Sequence, residues 1–171
     1  MPCKVPIVDD HALIRDAMRA VVMEMCRDAF VLEASNAIEA LTLAASYADI
    51  DLVLLDVGLP DRDGLTVLAD LRRRYPGMSV AMLSGTKDQQ TIMRALSLGA
   101  VGFIPKVETR DVLMGVLGLI LKGGVYIPPG CACFGPRSAG GSCVAGRITT
   151  DAGIARTHRS ANGCPGADDA R

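Results

Sequence analysis

Leu52-Val53-Leu54-Leu55-Asp56-Val57-Gly58-Leu59-Pro60-Asp61 decides how this chain folds. Four aliphatic residues run straight into a carboxylate, and a Gly and a Pro follow at once. A strand with one wet face would alternate apolar and polar residues. A strand that is apolar throughout suits the middle of a parallel sheet covered on both faces. The Gly and Pro then turn the chain away at the strand's carboxyl end.

Similar short runs lie on either side. Lys4–Val8 and Phe30–Glu33 precede it, and Val80–Leu83 and Val101–Ile104 follow. Between them the apolar residues recur with helical period. Met18, Val21, Val22 and Met25 form one stripe, and Leu65, Leu68 and Leu71 another. Ile92, Ala95, Leu96 and Gly99 form the next, and Val112, Leu113, Val116, Leu117 and Ile120 the last. Asn36 and Thr109 are placed to cap the second and fifth helices, and Gly77 and Gly99 to end the third and fourth. Five strand-helix units in a row imply an α/β, doubly wound parallel sheet. Pro6 is out of character, because a Pro lacks the donor that a central strand needs. An aliphatic residue is expected there.

Right-handed crossovers bring every strand's carboxyl end to one edge of such a sheet, and ligands bind outside that edge. The first strand delivers Asp9 and Asp10 there, the third Asp56, the fourth Ser84 and the fifth Pro105-Lys106. Carboxylates converging on one pocket repel one another unless a cation intervenes. Oxygen ligands with room for water suit Mg²⁺. A carboxylate beside a cation and a lysine is equipped to take a phosphoryl group, forming an aspartyl phosphate. One acid at a strand end is most often a cap or a solvated charge. A polar group at the ends of four strands of one sheet is a stronger signal.

These residues resemble the receiver domain of bacterial two-component response regulators. The resemblance covers residues 4–127, about three quarters of the chain. It rests on Val8-Asp9-Asp10-His11, Leu55-Asp56-Val57-Gly58-Leu59-Pro60-Asp61, Leu83-Ser84-Gly85, Gly99-Ala100-Val101-Gly102-Phe103 and Ile104-Pro105-Lys106. The fold it implies is flavodoxin-like, with strand order 2-1-3-4-5. By position it implies that Asp56 is the phosphoacceptor and that Asp10 ligates Mg²⁺ directly. It further implies that Asp9 acts through water and that the carbonyl of Gly58 completes the ligands. Ser84 resembles the switch hydroxyl, Phe103 the aromatic that turns inward with it, and Lys106 the phosphate-pairing lysine. The implied partner is a sensor histidine kinase, with a homodimer on phosphorylation. The implied protein is a signalling switch and not an enzyme.

Two enzyme-like or cofactor-binding alternatives fit less well. An aspartyl-nucleophile phosphatase needs an acid two residues past the nucleophile, where this chain has Gly58. A flavin module wants a hydroxyl- and Gly-rich phosphate loop where Asp9-Asp10 stands.

His11, Leu-Pro-Asp-Arg-Asp-Gly at 59–64, Gly-Phe-Ile-Pro-Lys at 102–106 and Gly-Gly-Val-Tyr-Ile-Pro-Pro at 123–129 resemble the LuxR/NarL-type regulators. Those carry a helix-turn-helix DNA-binding domain after a linker. DNA is therefore a partner only if the parent protein has that domain intact; the alternative is a stand-alone receiver that acts through protein–protein contacts without DNA binding. Residues 130–171 contain eight Gly and four Cys, with no sustained period. The expected organisation is a receiver over 1–127 and an irregular tail over 128–171, disordered in the plainest reading. The tail also admits a frame-shift reading. Permitted codons for Ala155–Arg171, read one base later, spell Leu-Ala-Leu-Thr-Ala-Arg-Gln-Thr-Asp-Val-Leu-Ala-Leu-Met-Met-Gln. That resembles the opening helix of a LuxR-type domain, so residues 128–171 read as an out-of-frame remnant of linker and DNA-binding domain.

Composition narrows the classes further. The 171 residues include no Trp, three Phe and three Tyr, so the core is aliphatic. Residues 1–127 hold 13 Lys/Arg against 16 Asp/Glu, and the remainder 5 against 3. Neither part has a nucleic-acid footprint, and Arg72-Arg73-Arg74 reads as the cationic end of a helix. The longest apolar run, Val112–Leu121, falls far short of the roughly 20 residues of a membrane span. Asp9-Asp10 comes too early for a secretory signal, so a cytoplasmic location and reduced cysteines are expected. Cys131 and Cys133 have no partner pair at zinc spacing.

Overall fold

A computed structural model of the chain describes residues 3–86 and 88–129. The Cys-rich segment and the frame-shift reading of the tail lie outside the described residues. Five βα units follow one another. They are β1 (Lys4–Val8), α1 (Ala12–Met25), β2 (Phe30–Ala34), α2 (Ala37–Ser46), β3 (Leu52–Asp56), α3 (Gly64–Arg74), β4 (Ser79–Ser84), α4 (Gln89–Ser97), β5 (Gly102–Pro105) and α5 (Arg110–Leu121). The strands form one parallel sheet in the order β2-β1-β3-β4-β5, as the resemblance implied.

All five residues of β3 are buried. Its side chains alternate between two cores, as the pleat requires. Val53 and Leu55 join Leu65, Leu68 and Leu71 of α3 and Ile92 of α4. Leu52 and Leu54 join Met18 and Val22 of α1 and Leu113, Val116 and Leu117 of α5. A fully buried leucine such as Leu54 contributes about 2 kcal/mol by leaving water. The α2 face is made of Ala37, Ala40 and Ala44, small residues that let that helix lie close to the sheet.

Pro6 does sit in β1, buried, and its position explains why it is tolerated. The Lys4 carbonyl accepts from Asp51 N–H, so the even-numbered backbone groups of β1 face the β3 side. The missing donor of Pro6 therefore falls on that side. There the ladder runs only over Ile7↔Leu54 and Val8↔Leu55, whereas all five residues pair with β2. The aliphatic residue expected at position 6 is not needed for register.

The helix ends are tied partly as expected. Asn36 caps α2, accepting from Glu39 N–H at 2.9 Å. Thr109 stands at the start of α5, but its side chain makes no capping bond. Asp63 and Asp88 cap α3 and α4 instead. Gly99 ends α4 with a positive φ of 92°, a conformation that favours glycine. Gly77 lies beyond Tyr75, the residue that ends α3, and carries no such φ. After α5 the chain doubles back beside β5. Phe103 N–H donates to Tyr126 O and Tyr126 N–H to Val101 O, adding one parallel bridge outside β5.

Candidate functional site

The ladder register lines up the polar residues. Val57, just past β3, donates its N–H to Leu83 O, and Lys106, just past β5, donates its N–H to Ser84 O. Asp9 N–H donates to Ala34 O just past β1. Asp9, Asp56, Ser84 and Lys106 therefore emerge at one sheet edge. A cleft of about 420 Å³ opens there, lined by Asp56, Gly58, Ser84, Thr86, Lys106 and His11 among others.

Asp56 is 3 % exposed and Asp9 0 %. Burying two carboxylates is costly unless charge compensates. The Lys106 ammonium supplies part of that compensation. Its Nζ stands 2.6 Å from Asp9 Oδ2 and 2.8 Å from Asp56 Oδ2. Burial alone would push the Lys106 pKa down, but its close pairing with the Asp56 and Asp9 carboxylates outweighs this and holds it above the ordinary lysine range. It is a fixed positive charge at neutral pH.

Asp10 lies at the rim with its side chain about one-third exposed. His11 Nδ1 is 2.7 Å from Asp10 Oδ1 and 3.1 Å from Asp9 Oδ1, and His11 N–H also donates to Asp9 Oδ1. Asp9, Asp10, His11 and Asp56 each offer a ligand atom within 4.8 Å of the others. Three carboxylates against one ammonium leave a formal charge of −2, which a divalent cation cancels. Asp9 Oδ2 is buried and has no aligned hydrogen-bond partner; Lys106 approaches it as an ion pair only. A buried oxygen with an open lone-pair direction among hard oxygen donors fits Mg²⁺.

Ser84 is 4 % exposed, and its Oγ accepts from Thr86 N–H at 3.1 Å. Phe103 is wholly buried, on β5 beside Met82 of β4. Gly58 lies in the loop after β3, where a Cβ would stand 3.9 Å from Asp56 Oδ2. Asp9, Asp10, Asp56, Ser84 and Lys106 are thus brought to one edge, while Phe103 lies in the core and does not line the cleft.

Other residues escaped the sequence reading. Arg15, one turn into α1, donates to Asp9 O at 2.6 Å. Thr86 lines the cleft and holds Ser84. Gly64 packs so tightly that a Cβ there would stand 2.0 Å from Asp56 O. Only the Leu-Pro-Asp-Arg-Asp-Gly motif hinted at Gly64. Arg15 and Thr86 carry no spacing signal.

Comparison with known proteins agrees with this geometry. The response regulator receiver domain profile matches residues 5–117. The chain is 37 % identical over 126 residues to the glycerol metabolism activator of Pseudomonas putida, covering 74 % of this chain and 57 % of that protein. It is 32 % identical over 114 residues to the nitrate/nitrite response regulator protein NarL of Escherichia coli, covering 66 % and 52 %. A crystal structure of a LuxR family DNA-binding response regulator from Silicibacter pomeroyi superposes with a TM-score of 0.65 at 36 % identity, covering 74 % and 98 %. A parallel sheet of this order with an acidic pocket at its edge defines a receiver domain of two-component signalling. The chain belongs to the response regulator receiver family, and its relatives are of the LuxR/NarL type. It spans a little over half the length of the curated relatives it matches. Among the described residues, no helix is long and apolar enough to cross a membrane.

Proposed function

We propose that Asp56 accepts a phosphoryl group from a phosphohistidine of a sensor kinase. The observation that carries this is the pairing of buried Asp56 with Lys106 at 2.8 Å, beside Asp9 and Asp10 at the sheet edge. A carboxylate oxygen of Asp56 attacks phosphorus, the P–N bond breaks, and the departing imidazole nitrogen keeps its electron pair. Asp10, Asp56 and the Gly58 carbonyl would hold Mg²⁺, with Asp9 acting through water. When bound, the ion neutralises the phosphoryl oxygens. Lys106 offers a permanent cation to the same oxygens. Arg15 and Ala34 O hold the Asp9 backbone, and its carboxylate meets Lys106.

Ser84 is suited to follow the new phosphoryl group, since its hydroxyl is restrained by the neighbouring Thr86, through the N–H at 3.1 Å and Oγ1 at 3.4 Å. Phe103, against β4, would repack with it, biasing a two-state receiver. The receiver comprises residues 1–127, and residues 128–171 read as an out-of-frame remnant of the linker and DNA-binding domain. In the parent protein the output is transcriptional control by a cytoplasmic, DNA-binding regulator that dimerises on phosphorylation. The relatives' names support that reading. The test is incubation of the chain with acetyl phosphate. Alkali-labile labelling that requires Mg²⁺ is expected; labelling indifferent to chelation contradicts the site.

A further inference from the structure

We propose that Asp61 is a positioning residue for the phosphoryl site: it fastens the loop that carries Gly58 to the N-terminus of α2. This rests on the reading of the Gly58 carbonyl as a metal ligand.

The loop between β3 and α3 is closed at its base. Gly64 N–H donates to Val57 O at 2.9 Å, and Gly58 bridges to Asp63. Its tip reaches toward α2. Leu59 is buried in the same core as Ala37 and Ala40. Asp61 then accepts from Ala37 N–H at 2.9 Å and from Ile38 N–H at 3.2 Å. The first amides of a helix have no partner within it, and a carboxylate there is favoured by the helix dipole. The bond from Ala37 N–H, helped by that from Ile38, keeps the Asp61 carboxyl below its ordinary range, so both bonds persist at neutral pH.

The same corner of the fold also holds the other half of the site. Ala34, at the end of β2, accepts from Asp9 N–H at 3.1 Å. The β2–α2 corner contributes no group to the cleft. It nevertheless anchors both the β1–α1 loop, with its carboxylates, and the β3–α3 loop, with its carbonyl. The β1–β3 ladder sets the spacing of the strand ends, and beyond it the two loops are fastened to this corner at Ala34 O and Asp61. Only Asp61 is a side chain and can be removed by substitution. Asn36 caps the same helix end by bonding to Glu39 N–H but touches neither loop bond, which makes it a control.

The experiment uses the full 171-residue chain. Mg²⁺ binding is titrated by calorimetry, and labelling by acetyl phosphate is followed against Mg²⁺ concentration. Asp61→Ala should weaken Mg²⁺ binding about tenfold, in line with the loss of an outer-shell partner. It should raise the Mg²⁺ needed for half-maximal labelling by the same factor and leave the rate at saturating Mg²⁺ near that of the unmodified chain. Asp61→Asn keeps one acceptor and should fall between; it carries the test if Asp61→Ala fails to fold by circular dichroism. Asn36→Ala should bind Mg²⁺ normally. The proposal is overturned if Asp61→Ala binds Mg²⁺ as the unmodified chain does, or if Asn36→Ala weakens binding equally. If the unmodified chain neither binds Mg²⁺ nor takes label, the reading of the site itself fails, and the proposal with it.

Discussion

Lys106 holds Asp56 in place: its Nζ stands 2.8 Å from Asp56 Oδ2, with the lysine side chain 12 % and the aspartate side chain 4 % exposed. The same ammonium faces Asp9. Replacing it with an apolar side chain leaves two buried carboxylates against each other. Lys106→Met should therefore lose about 2 kcal/mol of stability in EDTA. Saturating Mg²⁺ should return much of that loss, because a cation that binds only the folded chain stabilises it. Urea melts in EDTA and in Mg²⁺ check this. An equal loss in both would show that the lysine does not share its task with a cation.

Three glycines should respond differently to one added methyl. At Gly64 the Cβ would meet the backbone at 2.0 Å from Asp56 O, and backbone cannot yield. Gly64→Ala should cost more than about 3 kcal/mol. At Gly102 the nearest atom, 2.7 Å away, is the flexible end of Ile120, so Gly102→Ala should cost about 1 kcal/mol. Gly77 has nothing within 4 Å, and Gly77→Ala should be neutral or stabilising by about 0.5 kcal/mol. Thermal melts of the three variants give the ranking, and any other order contradicts the packing described.

Glu39 sets part of the acid limit. The N–H and hydroxyl of Ser35 donate to its carboxylate, and the Ser35 backbone bond is the main reason its pKa lies below the ordinary glutamate range. A carboxyl with a depressed folded pKa binds fewer protons folded than unfolded. Its contribution is complete above the ordinary glutamate pKa and is lost as pH falls through the folded value. Glu39→Gln should destabilise at neutral pH and flatten the fall in stability below the ordinary glutamate pKa. Parallel pH–stability curves for the two chains would remove Glu39 from that account.

Tyr126 should protect the switch strand. Phe103 N–H is bonded to Tyr126 O, and Tyr126 N–H is bonded to Val101 O. Tyr126→Pro removes the second donor and should loosen the first bond. Hydrogen exchange at the Phe103 amide should then quicken, while Leu54 in the central strand stays protected. Unchanged exchange at Phe103 would mean that the segment after α5 does not secure β5.

What the sequence made legible follows from how strongly each feature is written in side-chain chemistry. Leu52–Leu55 and the Leu65, Leu68, Leu71 stripe announce buried faces, and the elements lie within a residue or two of expectation. The α2 face is weakly written, because Ala37, Ala40 and Ala44 are too small to stand out. Caps were half legible. Asn36 acts as its type suggests, while Thr109 does not, and local backbone geometry decides between them. At the site, Asp9, Asp56, Ser84 and Lys106 are visible as strand-end polar residues. Asp61 acts through a contact with the separate β2–α2 corner, while Arg15 and Thr86 bond back to Asp9 and Ser84 nearby in the chain, and no periodicity encodes any of the three. The motif at 123–129 marked a subfamily, but its bridge to β5 appears only in three dimensions.

The central claim is that Asp56 receives the phosphoryl group. The most direct measurement is to phosphorylate the chain with acetyl phosphate and Mg²⁺, trap the acyl phosphate by borohydride reduction and locate the modified residue by peptide mass spectrometry. Modification at Asp56, and its disappearance in Asp56→Asn with the fold intact by circular dichroism, is the predicted result. Modification at another residue of the unmodified chain, or full labelling of Asp56→Asn, would contradict the account.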